Sequence, residues 1–332
     1  MTTILIITDN LPDQINGVVT TFTNLARIGE AEGFRVVFLT PNDFFYADCP
    51  GYNEVKLSIP FFIGSKIEKI NPDYIHIATE GPIGLMAKFF LDKKKWKYNT
   101  SYHTKFPEFL YKLYGIPQDW TYWYVRWFHK HSGKILTTTK TMVDELKSHG
   151  FKGEIISLGR GVDRNIFDSH HRNKTHGVTL LHVGRISKEK GIDDFCLLSF
   201  PGATKIVVGN GPYLAELQKK YPNIIFVGKK TGKELAWYFS NADVFVFTSK
   251  VDTFGIVIIE SLSVGTPVAA YKVPGPIDIL EPGINGAMNN DLLNAVKECL
   301  LLDRTMVKAS SNKWTWEQCW TTFKYNLVSK SD

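Results

Sequence analysis

Short β-branched runs separated by stretches of helical length pass along this chain twice, and no other feature limits its fold so tightly. In the first half, strands are expected at residues 4–8, 35–40, 74–78, 98–103, 134–138 and 153–158, with a helix over 17–32. The pattern restarts at 179–183 and continues through 205–208, 224–227, 244–248 and a shorter run at 267–271. Strands parted by helical lengths pair in parallel, because a parallel neighbour needs a crossover. The expected class is α/β, with two doubly wound parallel sheets that take ligands at the carboxyl ends of their strands. The stretch RGVDRNIFDSHHRNKTHG, residues 160–177, is polar and carries neither period, so the interdomain linker is placed there. The domains so read are 1–165, 166–312 and a closing segment 313–332. In that last segment Trp316, Trp320, Phe323 and Leu327 fall on one helical face.

Composition narrows the class. A chain of 332 residues holds two ordinary domains, and 44% hydrophobic with 22% charged residues is a globular balance. No run approaches the ~20 apolar residues that span a bilayer. The opening MTTILIITDN lacks a basic region and reads as a buried strand, not a signal peptide. Cys49, Cys196, Cys299 and Cys319 show no metal or disulfide spacing, which points to a reducing, cytoplasmic setting. The net charge of +6 suits a nucleotide phosphate, an anionic membrane or nucleic acid, and selects none of them.

The densest chemistry lies in TSKVDTFGIVIIESLSVGTPVAA, residues 248–270. Asp252 precedes Glu260 by eight positions, with Phe254 and Gly255 between them and an apolar run from Ile256. Strand, glycine turn and helix follow in order, and a helix start offers N–H groups and a positive dipole end to a diphosphate. At 1.5 Å per residue the carboxylates lie up to about 12 Å apart, enough to bracket a sugar and a ribose. The plainer reading is a strand–helix unit with two surface acids. In HVGRISKEKGID, residues 182–193, Arg185 and Lys190 place two cations in a loop entering a helix, where they can neutralise a leaving diphosphate. A solvated basic loop is the alternative. GNGPYL, residues 209–214, opens like a dinucleotide fingerprint but lacks the third glycine, and Val227-Gly228-Lys229 stands where a ribose-binding acid belongs. That weighs against a dehydrogenase. Gly17, after Asn16, lets a backbone approach a phosphate or simply opens a capped helix.

Residues 106–131 are rich in aromatic and basic side chains. Trp120, Trp123 and Trp127, with Lys105 and the nearby Lys93, Lys94, Lys95 and Lys97, suit a lipid surface. Single-stranded nucleic acid uses the same composition, and helix core accounts for many of the rings.

Together these motifs resemble glycosyltransferase family 4, retaining enzymes of the GT-B fold. Asp252 and Glu260 are similar to its acidic-x7-acidic signature, with Asp where Glu is usual. Arg185 and Lys190 match its GR-x4-KG element, residues 209–214 look like its G-x-GP element, and Gly228 and Lys229 fall where members hold the nucleobase. The segment DNLPDQINGVVTT resembles its glycine loop. HIATEGPIG and SYHTKFPEF resemble the bacterial branch that builds glycolipids, and place His103 at the histidine that contacts the donor sugar; His76 is read as structural.

The resemblance implies two Rossmann-like domains facing across a cleft, the first for acceptor, the second for nucleotide sugar, with the last helix returning to the first. It implies catalytic roles for His103, Arg185, Lys190 and Asp252, and donor contacts from Gly17, Gly228, Lys229, Phe254, Gly255, Ile256 and Glu260. The implied reaction moves a hexose or uronic acid, with retention, from a UDP-linked sugar to a lipid acceptor, diacylglycerol, at the inner face of the cell membrane. The implied partners are the nucleotide sugar, the lipid and an anionic membrane surface, not nucleic acid. There is no Asp-x-Asp motif, so neither metal nor cofactor is expected. Two alternatives stand: a GDP-mannose-dependent mannosyltransferase acting on a lipid or polysaccharide, and a nucleotide- or nucleic-acid-binding module without transfer activity.

Overall fold

In the computed structural model the chain divides into one unit of Met1–Arg160 with Trp316–Asp332 and a second of Gly161–Thr315. The structure describes residues 1–14, 16–49, 52–168, 172 and 177–331, without the side chains of 49, 52–55, 109, 112 and 113. The part of the expected linker at 169–171 and 173–176 lies outside the described residues.

The first unit runs β1 (Thr3–Ile7), α1 (Gly17–Ala31), β2 (Arg35–Leu39), β3 (Phe45–Cys49), β4 (Tyr52–Ile59), α2 (Ile63–Ile70), β5 (Tyr74–Ile77), α3 (Pro82–Lys94), β6 (Asn99–Tyr102), α4 (Phe106–Tyr114), α5 (Gln118–His129), β7 (Lys134–Thr137), α6 (Lys140–Ser148) and β8 (Glu154–Ser157). Its parallel sheet has the order β2-β1-β5-β6-β7-β8. The strand β1 reads TILII and is buried throughout, as expected of a strand covered on both faces. On one face Ile63 and Ile67 of α2, Ile83 and Leu91 of α3, and Phe128 of α5 pack over Leu5, Ile7, Ile75 and Ile77. On the other, Phe22 and Leu25 of α1 pack with Ile4, Ile6 and Leu136.

The second unit runs β9 (Thr179–Val183), α7 (Ile192–Leu197), β10 (Thr204–Val208), α8 (Leu214–Lys220), β11 (Ile225–Phe226), α9 (Gly232–Asn241), β12 (Val244–Phe247), α10 (Ile256–Ser263), β13 (Val268–Ala270), α11 (Pro276–Ile279), β14 (Gly286–Met288), α12 (Leu292–Cys299) and α13 (Arg304–Ser310). Its parallel sheet is ordered β11-β10-β9-β12-β13-β14. Alternate residues serve opposite faces: Leu181, Phe245 and Phe247 pack under Phe239 and Ile258, while Leu180, Val244 and Val246 pack under Phe195 and Val296. The chain then enters α14 (Trp316–Tyr325), whose Trp316, Cys319, Trp320 and Phe323 complete the α1 face of the first unit.

The two parallel sheets match the expected class. The unit boundaries fall at 160/161 and 315/316, a few residues from the 165/166 and 312/313 read from composition. Two features were not anticipated. β3 and β4 pair antiparallel outside the main sheet, and β14 adds a three-residue sixth strand to the second sheet. β14 is too short to announce itself, whereas β4 alternates polar and apolar residues over EVKLSI and could have been read from that period. Among the described residues, no helix is long and apolar enough to cross a membrane.

Candidate active site

The second sheet reverses direction of winding at β9, which has β10 on one side and β12 on the other. The loops leaving the carboxyl ends of β9 and β12 diverge there, the usual ligand position in such a sheet. Lys190 lies in the first loop and Asp252 in the second, and their side chains form a direct ion pair, each about a quarter exposed (25% and 26%). Backbone contacts fix the pair. The Thr248 hydroxyl donates to the carbonyl of Lys190 at 2.8 Å, tying one loop to the end of β12. Ile186 N–H donates to Asn210 O at 2.9 Å, and Gly209 N–H to Gly228 O at 2.9 Å. The approach is so close that a Cβ on Gly209 would stand 1.9 Å from Gly184 O.

α10 starts directly behind Asp252. Its N-cap is Gly255, with φ +87, a left-handed conformation that suits glycine, and no side chain caps the helix. An anion can take the place a capping side chain would fill. Phe254 is buried edge-on against Trp314, at 5.4 Å, and holds the turn to the core. Ile256 packs partly buried at the helix start. Glu260, one turn on, is partly buried, and burial raises its carboxyl from 4.5 to about 8. Arg185 is half-buried beside Gly184, Gly228 has φ +76, and Lys229 is exposed.

Beneath the ion pair lies a residue that spacing did not reveal. His182 of β9 is 3% exposed, and its Nδ1 donates to Val246 O at 3.2 Å. Burial, above all, lowers its pKa to about 4; the Val246 carbonyl works against that, Lys190 adds to it and Asp252 opposes it. The ring is therefore neutral and its Nε2, which has no hydrogen-bond partner, is an acceptor.

The first unit has its own constellation at the same end of its sheet. His103, just past β6, is buried, and Arg160 donates to its Nδ1 at 2.9 Å. A guanidinium only donates, so Nδ1 accepts and the proton sits on Nε2. Burial, then Arg160, His76 and His129, hold the pKa well below the usual value, so His103 is a neutral ring that carries its N–H at Nε2. His76, with Nε2 2.7 Å from Ser101 Oγ, is lowered to about 3 by burial. Asp9, past β1, accepts from Ile83 N–H and the Thr79 hydroxyl, both at 2.7 Å, and so caps α3; burial raises it to about 6. Nothing in the spacing pointed to Asp9. Gly17 opens α1, but Asn16 Oδ1 already accepts from Val18 and Val19 N–H at 3.0 and 2.9 Å. The capping reading of this glycine is thus present in the structure.

The residues expected to face lipid separate. Lys93, Lys94, Lys95 and Lys97 are exposed, as are Trp120 and Trp123. Lys105 is not: it is buried and ion-paired with Glu145 at 2.7 Å, because α4 folds its first turn against α6. Trp127 is half-buried in the core, with the Lys88 ammonium 4.7 Å from its ring centre.

Comparison with known proteins bears on both units. The family model described as "Glycosyltransferase Family 4" matches residues 15–165, and that described as "Glycosyl transferases group 1" matches residues 163–292. A GDP-mannose-dependent alpha-mannosyltransferase of Corynebacterium glutamicum is 27% identical over 315 residues, covering 87% of this chain and 74% of that protein. An alpha-monoglucosyldiacylglycerol synthase of Streptococcus pneumoniae is 26% identical over 344 residues, covering 89% and 77%. The solved sucrose-phosphate synthase of Thermosynechococcus elongatus superposes with a TM-score of 0.79 at 18% identity, over 98% of each chain, a likeness of fold.

Proposed function

The chain belongs to glycosyltransferase family 4 and has the GT-B fold, and from that premise we propose that it transfers a hexose or uronic acid from a UDP-linked sugar to diacylglycerol, with retention and without a divalent metal. The observation that carries this reading is the Lys190–Asp252 pair set against the uncapped start of α10, with Glu260 one turn behind. A nucleoside diphosphate suits that arrangement. Its phosphate oxygens take the N–H groups of α10 and draw Lys190, with Arg185, away from Asp252. Asp252 is left to accept from sugar hydroxyls, and Glu260 from the ribose hydroxyls. Two fixed cations then stabilise the charge that grows on the departing diphosphate, the work a metal does elsewhere. The sugar C1–O bond to phosphate breaks, the acceptor oxygen bonds to C1 on the same face, and its proton passes to the leaving diphosphate. His103 serves as a neutral hydrogen-bond donor to a sugar hydroxyl. The relative from Streptococcus pneumoniae, whose name gives a diacylglycerol product, supports the lipid acceptor.

A panel of UDP- and GDP-sugars with diacylglycerol vesicles, products separated by mass and their anomeric configuration read by NMR, tests the reading. The expected product is an α-linked glycosyl-diacylglycerol from a UDP-sugar, formed equally well in a strong chelator. A product from GDP-mannose alone, an inverted linkage, or activity that magnesium or manganese must restore would each overturn the corresponding part.

A further inference from the structure

Solvent-facing apolar side chains gather on the α2–α3–α5 side of the first unit. Phe45 and Ile59 are cross-strand partners in the β3–β4 pair, and both are exposed. Phe61 and Phe62, in the turn into α2, are 64% and 82% exposed. Phe62 holds φ +57 without being glycine, and its side chain gains nothing from the core. An exposed aromatic held in a strained backbone points to use outside the fold.

The flank is continuous. Gly64 in the first turn of α2 lies against the Phe90 ring of α3, and the Phe89 ring stands 5.7 Å from Trp127 of α5. Two pairs of side-chain contacts, each about one turn apart, show that the helices run the same way: Gly64 meets Phe90 and Glu68 meets Lys94, while Trp127 meets Phe89 and His131 meets Asp92. The solvent side therefore grades from apolar to basic. Met86 and Phe89 precede Lys93 on α3, and Trp120 and Trp123 of α5 precede Lys130, the residue that closes that helix. The apolar edge is the edge of the helix starts, which in a βα unit adjoins the carboxyl ends of the strands, where Asp9, Glu80 and His103 lie.

We propose that this flank docks on an anionic lipid bilayer, with the Phe61–Phe62 turn and the Phe45–Ile59 pair entering the acyl region and the lysines of the α3 end resting on headgroups. The grading selects the occupant. Aromatic side chains beside a rank of exposed lysines fit an interface that is apolar within and negative at its rim. A second copy of the same cationic flank would set like charges together. The inference rests on the lipid-acceptor reading and deepens it: docking brings the carboxyl edge of the first sheet to the bilayer, so a lipid need not leave the membrane to be glycosylated.

Co-sedimentation with vesicles of phosphatidylcholine, with and without phosphatidylglycerol, tests it on the full chain. Replacing Phe61 and Phe62 together by Ser should cut partitioning at least about tenfold on both vesicle types, as expected for lost apolar burial. Replacing Lys93, Lys94 and Lys95 by Ser should remove only the preference for phosphatidylglycerol. Transfer to a water-soluble short-chain diacylglycerol should be unchanged in the Phe variant, which also shows that it is folded. Unchanged vesicle binding by the Phe variant overturns the proposal. So does a wild-type dimer that the variant converts to monomer, since the flank would then be covered by protein. Vesicle binding without transfer to any lipid leaves docking intact and rejects the acceptor; transfer to the soluble lipid without vesicle binding does the reverse.

Discussion

Lys190 and Asp252 satisfy each other's charge, so under the proposed function an incoming diphosphate competes with a carboxylate for the ammonium. Asp252→Asn removes both the competitor and a negative charge close to the phosphates. It should bind free UDP several-fold tighter by calorimetry, while turnover falls because the sugar exchanges a charged acceptor for a weaker amide. Lys190→Ala should instead lower kcat by about 10²-fold, the scale of one lost transition-state donor. Weaker UDP binding in the Asp252 variant would show that the pair is not the donor's competitor. Glu260 gives a pH signature. Its carboxyl is raised from 4.5 to about 8, so between those values the folded protein holds a proton that the unfolded chain gives up. The ligand-free protein should therefore lose stability as pH rises from 4.5 towards 8. Ribose hydroxyls favour the carboxylate, so UDP binding should release a proton and tighten as pH climbs to about 8, then level off. Glu260→Gln should abolish both the proton release and the slope, read by calorimetry in buffers of different ionisation enthalpy.

At the scale of elements, the loops at the carboxyl ends of β9, β10 and β12 hold the site by backbone packed on backbone. Gly209→Ala would drive a Cβ into Gly184 O, at 1.9 Å, with no flexible side chain to yield. A loss of about 2 kcal/mol or more is expected, read as a lowered Tm, with weaker UDP binding in what remains folded. An unchanged Tm would mean that the loops part easily. This closeness explains what the sequence could and could not disclose. Strands β9 and β12 were legible because buried parallel strands are rich in apolar residues, VFVF in β12 and Leu180-Leu181 in β9, and Lys190, Asp252 and Glu260 because spacing along a strand–turn–helix is local. The pairing of Lys190 with Asp252 spans 62 positions and appears only once the loops meet. His182 and Asp9 were hidden for the same reason: a polar residue at a strand end acquires meaning from the carbonyl, amide or charge that another loop brings. Lys105 misled because composition cannot tell a lysine that faces lipid from one that reaches back to Glu145.

At the scale of the whole molecule, the first unit is not continuous in sequence. Trp320, 1% exposed, lies over Gly29 of α1 and packs against Phe34 and Phe323. Trp320→Ala should cost about 3–5 kcal/mol and lower the melting of the first unit, followed by hydrogen exchange in α1 and β1. Protection lost first in the second unit would contradict the placement of α14. This arrangement also sets an order in time. During synthesis, residues 1–160 are complete long before the helix that finishes their core, and 155 residues of the second unit must be made in between. At roughly 5–20 residues per second that delay is on the order of ten seconds or more. For that interval the α1 face of the nascent first unit lacks the Phe323 ring that meets Phe22 and the Trp320 ring that lies over Gly29, while the later-made second unit can already close its own core. A ribosome stalled before residue 316 would thus display a sticky half-covered sheet, a natural target for chaperones and proteases.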